Sequence, residues 1–302
     1  KATIKEIKRF ELPDLDDEFA KELDCETIDE LRGKIREELN ERKAAAEEQE
    51  LHAAEEQKLR AETQKILELP SVKEVFVHPH MGDGGVAIGA ALDFASQVEP
   101  KRRSAAISEV FWGNATSESD TMEALESFPV IYRRVDDPSE HIADALVQKK
   151  VIGVFNGRME YGPRALGHRS ILAEPTDVTM MDWLNARLDR TEFMPFAPII
   201  MEEDAEDYFK NFEAGRLAAR FMTICFEVTE HGKRMAPGIV HKDGTARPQI
   251  VNEIENAYVY RMLKAYKRKS GLPLAIQFQG PLFEEMRLLQ LARAVQSIDE
   301  PA

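Results

Sequence analysis

The strongest constraint on how this chain folds sits near its middle, where an apolar run gives way to glycine and arginine. Val151-Ile152-Gly153-Val154-Phe155 is short, continuous and apolar, the pattern of a buried strand. It runs into Gly157-Arg158-Met159-Glu160-Tyr161-Gly162-Pro163-Arg164-Ala165-Leu166-Gly167-His168-Arg169-Ser170. Gly157, Gly162 and Gly167 break regular structure and let a ligand come close to the backbone. Arg158, Arg164 and Arg169 present planar forks of N–H donors that match phosphate or carboxylate oxygens, and Ser170 adds a hydroxyl. A glycine-rich turn after a strand also aims backbone N–H groups at an anion. The chemistry is that of an anion cradle, most naturally for phosphate. The alternative is a surface loop whose arginines pair with local acids such as Glu160 and Glu174.

Two further polar clusters flank this loop. His241-Lys242-Asp243-Gly244-Thr245-Ala246-Arg247 sets a histidine beside a carboxylate. The two can hold each other or exchange a proton, and Thr245 and Arg247 can donate to an anion; the other reading is a capped turn at a strand end. Upstream, Val75-Phe76-Val77 reads as a short buried strand. His78-Pro79-His80-Met81-Gly82-Asp83-Gly84-Gly85 follows, and then a tightly packed helix of small residues over 86–92. A helix N-terminus behind glycines favours an anion. His78 and His80 serve either a structural role or a metal.

The words NGRMEYGPRALGHRSILAEPTD (156–177), MMDWLNARL (180–188), FMPFAPII (193–200), HKDGTARPQIV (241–251) and SGLPL (270–274) resemble the C-terminal domain of the O-carbamoyltransferases of nodulation-factor and antibiotic biosynthesis. FVHPHMGDGGVAIGAAL (76–92) matches the end of the same family's N-terminal domain, so the resemblance spans roughly residues 62–276. It implies an α/β (α+β) fold with a YrdC-like twisted mixed sheet and helices. It implies that carbamoyl phosphate is activated with ATP to a carbamoyl-adenylate and passed to a hydroxylated acceptor. Carried onto this sequence, Arg158, Arg164, Arg169 and His241 become the catalytic candidates. Gly157, Gly162, Gly167, Ser170, Asp243, Thr245 and Arg247, with Gly82, Gly84 and Gly85, become nucleotide-binding candidates. Mg2+ would accompany ATP, bridging its phosphates. Asp83 stands at a metal-ligand position whose full family site takes Fe2+ with two histidines from far upstream, on a helix this chain does not contain.

The resemblance fails at both ends. After a strand over 272–276 the family continues with an Asn-Thr-Ser-Phe-Asn word and a Gly-Glu-Pro turn. Here Gln277-Phe278-Gln279-Gly280-Pro281 stands instead, followed by an expected helix over 282–298. This leaves three readings of function: complete transfer, the activation half alone, or an inactive scaffold.

At the other end, residues 1–8 alternate as an exposed strand does, Pro13 ends it, and 17–23 reads as a short helix. Thr27-Ile28-Asp29-Glu30 has capping-box form and opens a long helix with a narrow stripe, Ile28, Leu31, Ile35 and Leu39. Continued to about Ile66, that helix is about 60 Å long. Residues 4–39 resemble trigger factor, from the end of its isomerase domain into its chaperone domain, with Asp24 where that pattern usually has Gly. The arm is either a solvated helix or a surface for a polypeptide partner, so the alternatives to carbamoyl transfer are a chaperone-like binding protein or a non-native fusion with no evolved activity. The expected organisation is an arm over 1–61, a remnant of the family's N-terminal domain over 62–127, and the carbamoyltransferase C-terminal domain over 128–302 with an atypical tail from 277. Such an arrangement has the look of a fusion or a change of reading frame.

The remaining segments follow local rules. Residues 96–127 are polar and turn-rich, with a solvated Lys101-Arg102-Arg103 run and with Phe111 and Trp112 as packing anchors. Asp137-Pro138-Ser139-Glu140 starts an amphipathic helix over 138–149. A helix is expected over 180–188, a strand over 199–201, a short helix over 204–209 and a strand over 221–228 whose Cys225 is a core residue. The net charge of −15 opposes phosphate backbones and argues against nucleic-acid binding. Cys25 and Cys225 have no metal-ligand spacing and require no disulfide, which suits a reducing cytoplasm. No apolar run reaches membrane-spanning length. The expected partners are small molecules.

Overall fold

The computed structural model describes residues 15–100, 107–179 and 196–278. The expected strand over 1–8, the basic run at 101–103, the helix over 180–188 and the tail helix over 282–298 lie outside them. The chain divides into two compact units, Lys1–Lys58 and Leu59–Ala302. Among the described residues no helix is long and apolar enough to cross a membrane.

In the first unit α1 (Asp17–Glu22) is capped by Asp16, whose carboxylate accepts the N–H groups of Glu18 at 3.1 Å and Phe19 at 3.0 Å. The long helix is present as α2 (Ile28–Leu67). Thr27 Oγ1 accepts the Glu30 N–H at 3.2 Å as the capping box requires, but the reciprocal bond is rerouted. The Glu30 carboxylate takes the Glu26 N–H at 2.9 Å, while Asp17 takes that of Ile28 at 2.8 Å. Ala20, Cys25 and Leu31 are buried with Phe19 and Ile28 against them. The apolar stripe then runs out into solvent, with Ile35 and Leu39 exposed.

The second unit is built on a five-stranded mixed sheet of order β1-β2-β7-β3-β6. Its strands are β1 (Ile152–Phe155), β2 (Arg169–Ala173), β3 (Ala197–Met201), β6 (Gln249–Val251) and β7 (Leu274–Phe278). A separate ribbon pairs β4 (Phe226–Glu227) with β5 (Thr245–Ala246). Only β3 and β6 run parallel; β1–β2, β2–β7 and β3–β7 are antiparallel. Side chains alternate across a strand, and both faces of this sheet are covered. Ile171, Ala173, Ile200, Ile250, Leu274 and Ile276 join one apolar cluster with Phe196, Phe209, Phe212 and Phe226. Leu172, Ile199, Met201, Val251 and Ala275 join a second with residues of the α5 and α9 helices. Two-sided burial explains why Phe196-Ala197-Pro198-Ile199-Ile200 reads as continuously apolar.

The helices of this unit are α3 (Asp83–Val98), α4 (Glu118–Ser127), α5 (Ser139–Val147), α6 (Ala205–Tyr208), α7 (Phe212–Ala219), α8 (Glu230–Met235) and α9 (Ala257–Ser270). Asn256 caps α9 by accepting the Val259 N–H at 3.2 Å, and Gly271 ends it with φ +80°. Val259, Met262, Leu263 and Tyr266 lie one turn apart on its buried face, and α5 packs against it. Ion pairs from Lys269 to Asp144 and from Arg268 to Glu140 tie the two helices together.

Several local expectations are corrected. β1 is the sheet edge, so only Val154 of it is buried and Phe155 is exposed. Residues 75–77 form no strand; Val75 donates to the Ala214 carbonyl at 2.6 Å and packs with Val77 against the first cluster. α3 is longer than 86–92 and buries no side chain. Within the segment read as turns, α4 is opened by a reciprocal capping box between Ser117 and Asp120. The strand over 221–228 shrinks to β4 and one bridge, Phe209 to Val228.

Candidate functional site

The arginine loop joins β1 to β2, and most of its polar groups serve the loop itself. Buried Glu160 accepts the N–H groups of Leu166 at 2.8 Å, His168 at 2.9 Å and Arg169 at 3.0 Å through one carboxylate oxygen. Ser170 Oγ takes the Gly167 N–H at 2.8 Å and donates to Gln277 Oε1 at 3.1 Å. Gln277 donates to Gln249 Oε1, and Gln249 donates to the Leu166 carbonyl at 3.0 Å. The backbone cradle that glycine content predicted for a ligand is thus closed over the loop's own Glu160 and Ser170. Two of the glycines serve close packing. A Cβ on Gly162 (φ +105°) would lie 3.1 Å from the Pro79 carbonyl, and one on Gly167 (φ +95°) 2.6 Å from Val259.

The arginines divide into two kinds. Arg158 donates to the Gly113 carbonyl at 2.9 Å and the Trp112 carbonyl at 3.3 Å. Arg169 donates to the carbonyls of Asn156 at 2.7 Å, His168 at 3.1 Å and Gly157 at 3.1 Å, and lies over the exposed Phe155 ring. These contacts brace the loop, as do backbone bonds from Tyr161 to Val110 at 2.7 Å and from Gly113 to Met159 at 3.0 Å. His168 stacks on Phe111 with ring centroids 3.6 Å apart, and its Nδ1 pairs with the Arg158 carbonyl at 2.8 Å. Burial lowers its pKa. Glu174 accepts the N–H and hydroxyl of Thr176 at 3.0 and 2.8 Å and pairs with Lys149 at 3.6 Å.

The second cluster is a turn closed by Gly244 at φ +82°. Asp243 Oδ1 accepts both the N–H and the hydroxyl of Thr245, at 3.0 and 2.7 Å, and the His241 N–H donates to the Thr245 carbonyl at 2.8 Å. His241 and Asp243 do not bond to each other here. Arg60 of α2 stands between them, its Nη1 2.9 Å from His241 Nδ1 and 3.3 Å from Asp243 Oδ2. Sequence reasoning missed this residue, because nothing in a solvated Glu/Lys/Gln helix marks one arginine as half-buried. Burial works to raise the Asp243 carboxyl, but hydrogen bonds from Thr245 and the charge of Arg60 bring it below its ordinary value. Next to Arg60 on the helix, Gln64 donates to the Cys225 carbonyl at 2.6 Å and accepts the Glu227 N–H at 3.3 Å, continuing the β4 edge with a side chain.

Cys225 lies within electrostatic reach of both the loop and the turn. Burial raises its thiol pKa, and the charges of Arg247, Arg60, Asp243 and Arg164 all act on it. Arg164 from the first motif and Arg247 and Asp243 from the second therefore share one neighbourhood. Arg164, Arg247 and Arg60 each lower the Cys225 thiol pKa by their positive charge, and Asp243 acts against them.

The HPHMGDGG segment lies against the loop from the other side. The rings of His78 and His80 sit 6.0 and 5.5 Å from that of Tyr161, which stacks on Trp112 at 5.1 Å. A Cβ on Gly84 would meet His80 Nε2 at 2.3 Å, and one on Gly85 would meet the His80 carbonyl at 1.9 Å, so these glycines admit the histidine segment. Asp83 is exposed in the first turn of α3. Among the described residues no three His, Cys, Asp or Glu side chains gather where they could hold a metal ion.

With this geometry in view, known proteins give the site its context. Residues 143–277 match the family described as Carbamoyltransferase C-terminus. The chain is 33% identical over 216 residues to nodulation protein NolNO of Sinorhizobium fredii, an alignment covering 70% of this chain and 32% of that protein. It is 34% identical to nodulation protein NolO of Bradyrhizobium diazoefficiens, covering 70% and 39% respectively. It is 31% identical to the 3'-hydroxymethylcephem-O-carbamoyltransferase of Amycolatopsis lactamdurans, covering 72% and 40%. The chain thus spans between 32% and 40% of the length of these relatives. Residues 143–277 thus carry a carbamoyltransferase C-terminal domain, which holds both the arginine loop and the His241 turn.

Proposed function

We propose that this chain performs the activation chemistry of carbamoyl transfer, joining carbamoyl phosphate and ATP. Water cleaves carbamoyl phosphate to carbamate and phosphate. The carbamate oxygen then attacks the α-phosphorus of ATP, the bond to the β-phosphate oxygen breaks, and pyrophosphate leaves a carbamoyl-adenylate. A hydroxyl of an acceptor takes the carbamoyl group and releases AMP. The observation that carries this reading is the His241 turn of the family-matched segment, where Arg60 Nη1 lies 2.9 Å from His241 Nδ1 and 3.3 Å from Asp243 Oδ2, with Arg164 and Arg247 in electrostatic reach of the nearby Cys225. Guanidinium groups fixed in a partly buried site stabilise charge developing on phosphate oxygens without reorganising when it appears. In this reading Arg164 and Arg247 bind phosphate and carbamoyl oxygens, and Thr245 and Asp243 shape the turn. Arg158 and Arg169 act by holding the loop, and Ser170 through the Gln277–Gln249 chain.

Mg2+ brought in with ATP would neutralise charge on the leaving pyrophosphate. The residues present do not fit an iron site, since Asp83 gathers no second and third ligand among the described residues.

The test is pyrophosphate release from ATP with and without carbamoyl phosphate, in the wild type and in Arg164→Ala. Release should require carbamoyl phosphate and fall at least ~10-fold in the variant, the effect of losing one charged hydrogen bond. Equal release from both proteins would remove the arginine site from the mechanism.

A further inference from the structure

His241 has an unexplained partner. Arg60 lies outside the family match, which begins at residue 143, yet its Nη1 is 2.9 Å from His241 Nδ1. A guanidinium donates and never accepts. The contact therefore makes Nδ1 the acceptor and puts the ring proton of a neutral imidazole on Nε2. The same Nη1 reaches Asp243 Oδ2 at 3.3 Å, so the carboxylate steadies the guanidinium rather than the imidazole. The other carboxylate oxygen, Oδ1, is taken by Thr245, and the His241 backbone N–H is tied to the Thr245 carbonyl. Nε2 makes no hydrogen bond among the described residues.

The charged and titratable surroundings come from several elements. Arg60 comes from α2, Asp243 and Arg247 from the turn and the stretch after it, and Cys225 from the residue before β4, with Arg164 of the arginine loop beside that thiol. Burial lowers the His241 pKa to about 4, Arg60 and Arg247 push the same way, and Asp243 opposes them. For His241 to act as a base through Nε2, its proton would have to sit on Nδ1 and face the guanidinium.

We propose that Arg60 is a positioning residue that locks His241 as a neutral, Nε2-protonated hydrogen-bond donor to the bound phosphate or carbamoyl oxygen. His241 then polarises its ligand and takes no proton from it. This inference rests on the anion-binding reading given above.

The test begins with the full chain carrying 15N-histidine, the His241 signals being assigned by their loss in His241→Gln. At pH 7 the wild type should show the Nε2–H tautomer, with no protonation above about pH 5, well below the ordinary imidazole value. Arg60→Ala should give a tautomer mixture and raise the pKa by about one unit, as removal of a neighbouring cation does. Arg60→Lys, which keeps a donor and a charge, should restore the tautomer, and it carries the comparison if the alanine variant does not fold. Binding of ATP with carbamoyl phosphate should stay within about threefold in His241→Gln, whose amide also donates, and weaken about tenfold in His241→Ala. An Nδ1–H tautomer or titration near pH 6.5 in the wild type overturns the lock. A correct tautomer with no ATP or carbamoyl phosphate binding by the wild type overturns the donor role together with the anion reading.

Discussion

Glu160 accepts three N–H groups of its own loop within 3.0 Å, which converts an apparent anion cradle into a rigid mount for arginine side chains. A carboxylate in such a loop invites pairing with the adjacent arginines, and only the fold shows that it turns inward. Asp24 is a second residue whose backbone matters more than its side chain. It follows α1 at φ +55°, the left-handed region that costs most L-residues about 1–2 kcal/mol and glycine almost nothing. Its carbonyl accepts from Lys34 at 3.3 Å, a contact that survives loss of the carboxylate. Asp24→Gly should therefore stabilise this turn by about 0.5 kcal/mol after allowing for the freer unfolded chain. Hydrogen exchange of the Cys25 amide, bonded to the Ala20 carbonyl at 3.0 Å, should slow in proportion, and faster exchange would show that the carboxylate contributes more than the strain.

At the scale of elements, the end of α2 does what its composition hides. Arg60, Gln64 and Leu67 fall on one side of the last two turns, at spacings of four and three residues. Arg60 enters the His241 turn, Gln64 extends the β4 edge and Leu67 is buried in the first sheet cluster at 5% exposure. Leu67→Ala should cost roughly 2–4 kcal/mol in urea unfolding of the second unit, the range for deleting a buried leucine side chain. A change near zero would mean that the helix end rests on the sheet without being held by it. α3 is the opposite case. Its sequence is apolar and small, yet Val86, Leu92, Phe94 and Val98 are all more than half exposed. The glycines at its start fit the His80 ring and carbonyl, so a stretch that resembles a nucleotide loop is here shaped by local histidine packing.

At the scale of the molecule, the boundary between the two units falls at Lys58, before the residues of α2 that touch the site. Deleting residues 1–58 should leave affinity for ATP with carbamoyl phosphate within about twofold, since separate units contribute independently. Deleting residues 1–67 removes Arg60, Gln64 and Leu67 and should lower it at least ~10-fold. Titration calorimetry on both truncations checks the pair of outcomes, and equal affinities would separate α2 from the site altogether. The long helix, the start of α5, the two-faced β3 run and the family words around Arg164 and Arg247 were all legible in the sequence. Each is written in local periodicity, in capping residues or in contiguous motifs, where neighbours in the chain are neighbours in space. Tertiary structure alone decided the rest. It turned Glu160 and Ser170 inward, put Arg164 and Arg247 within electrostatic reach of Cys225, left Val86, Leu92, Phe94 and Val98 of α3 exposed, and brought Arg60 to a histidine 181 residues away. The reason is that burial and long-range pairing depend on which surfaces meet, and a solvated-looking helix carries no local mark of the one turn that is buried.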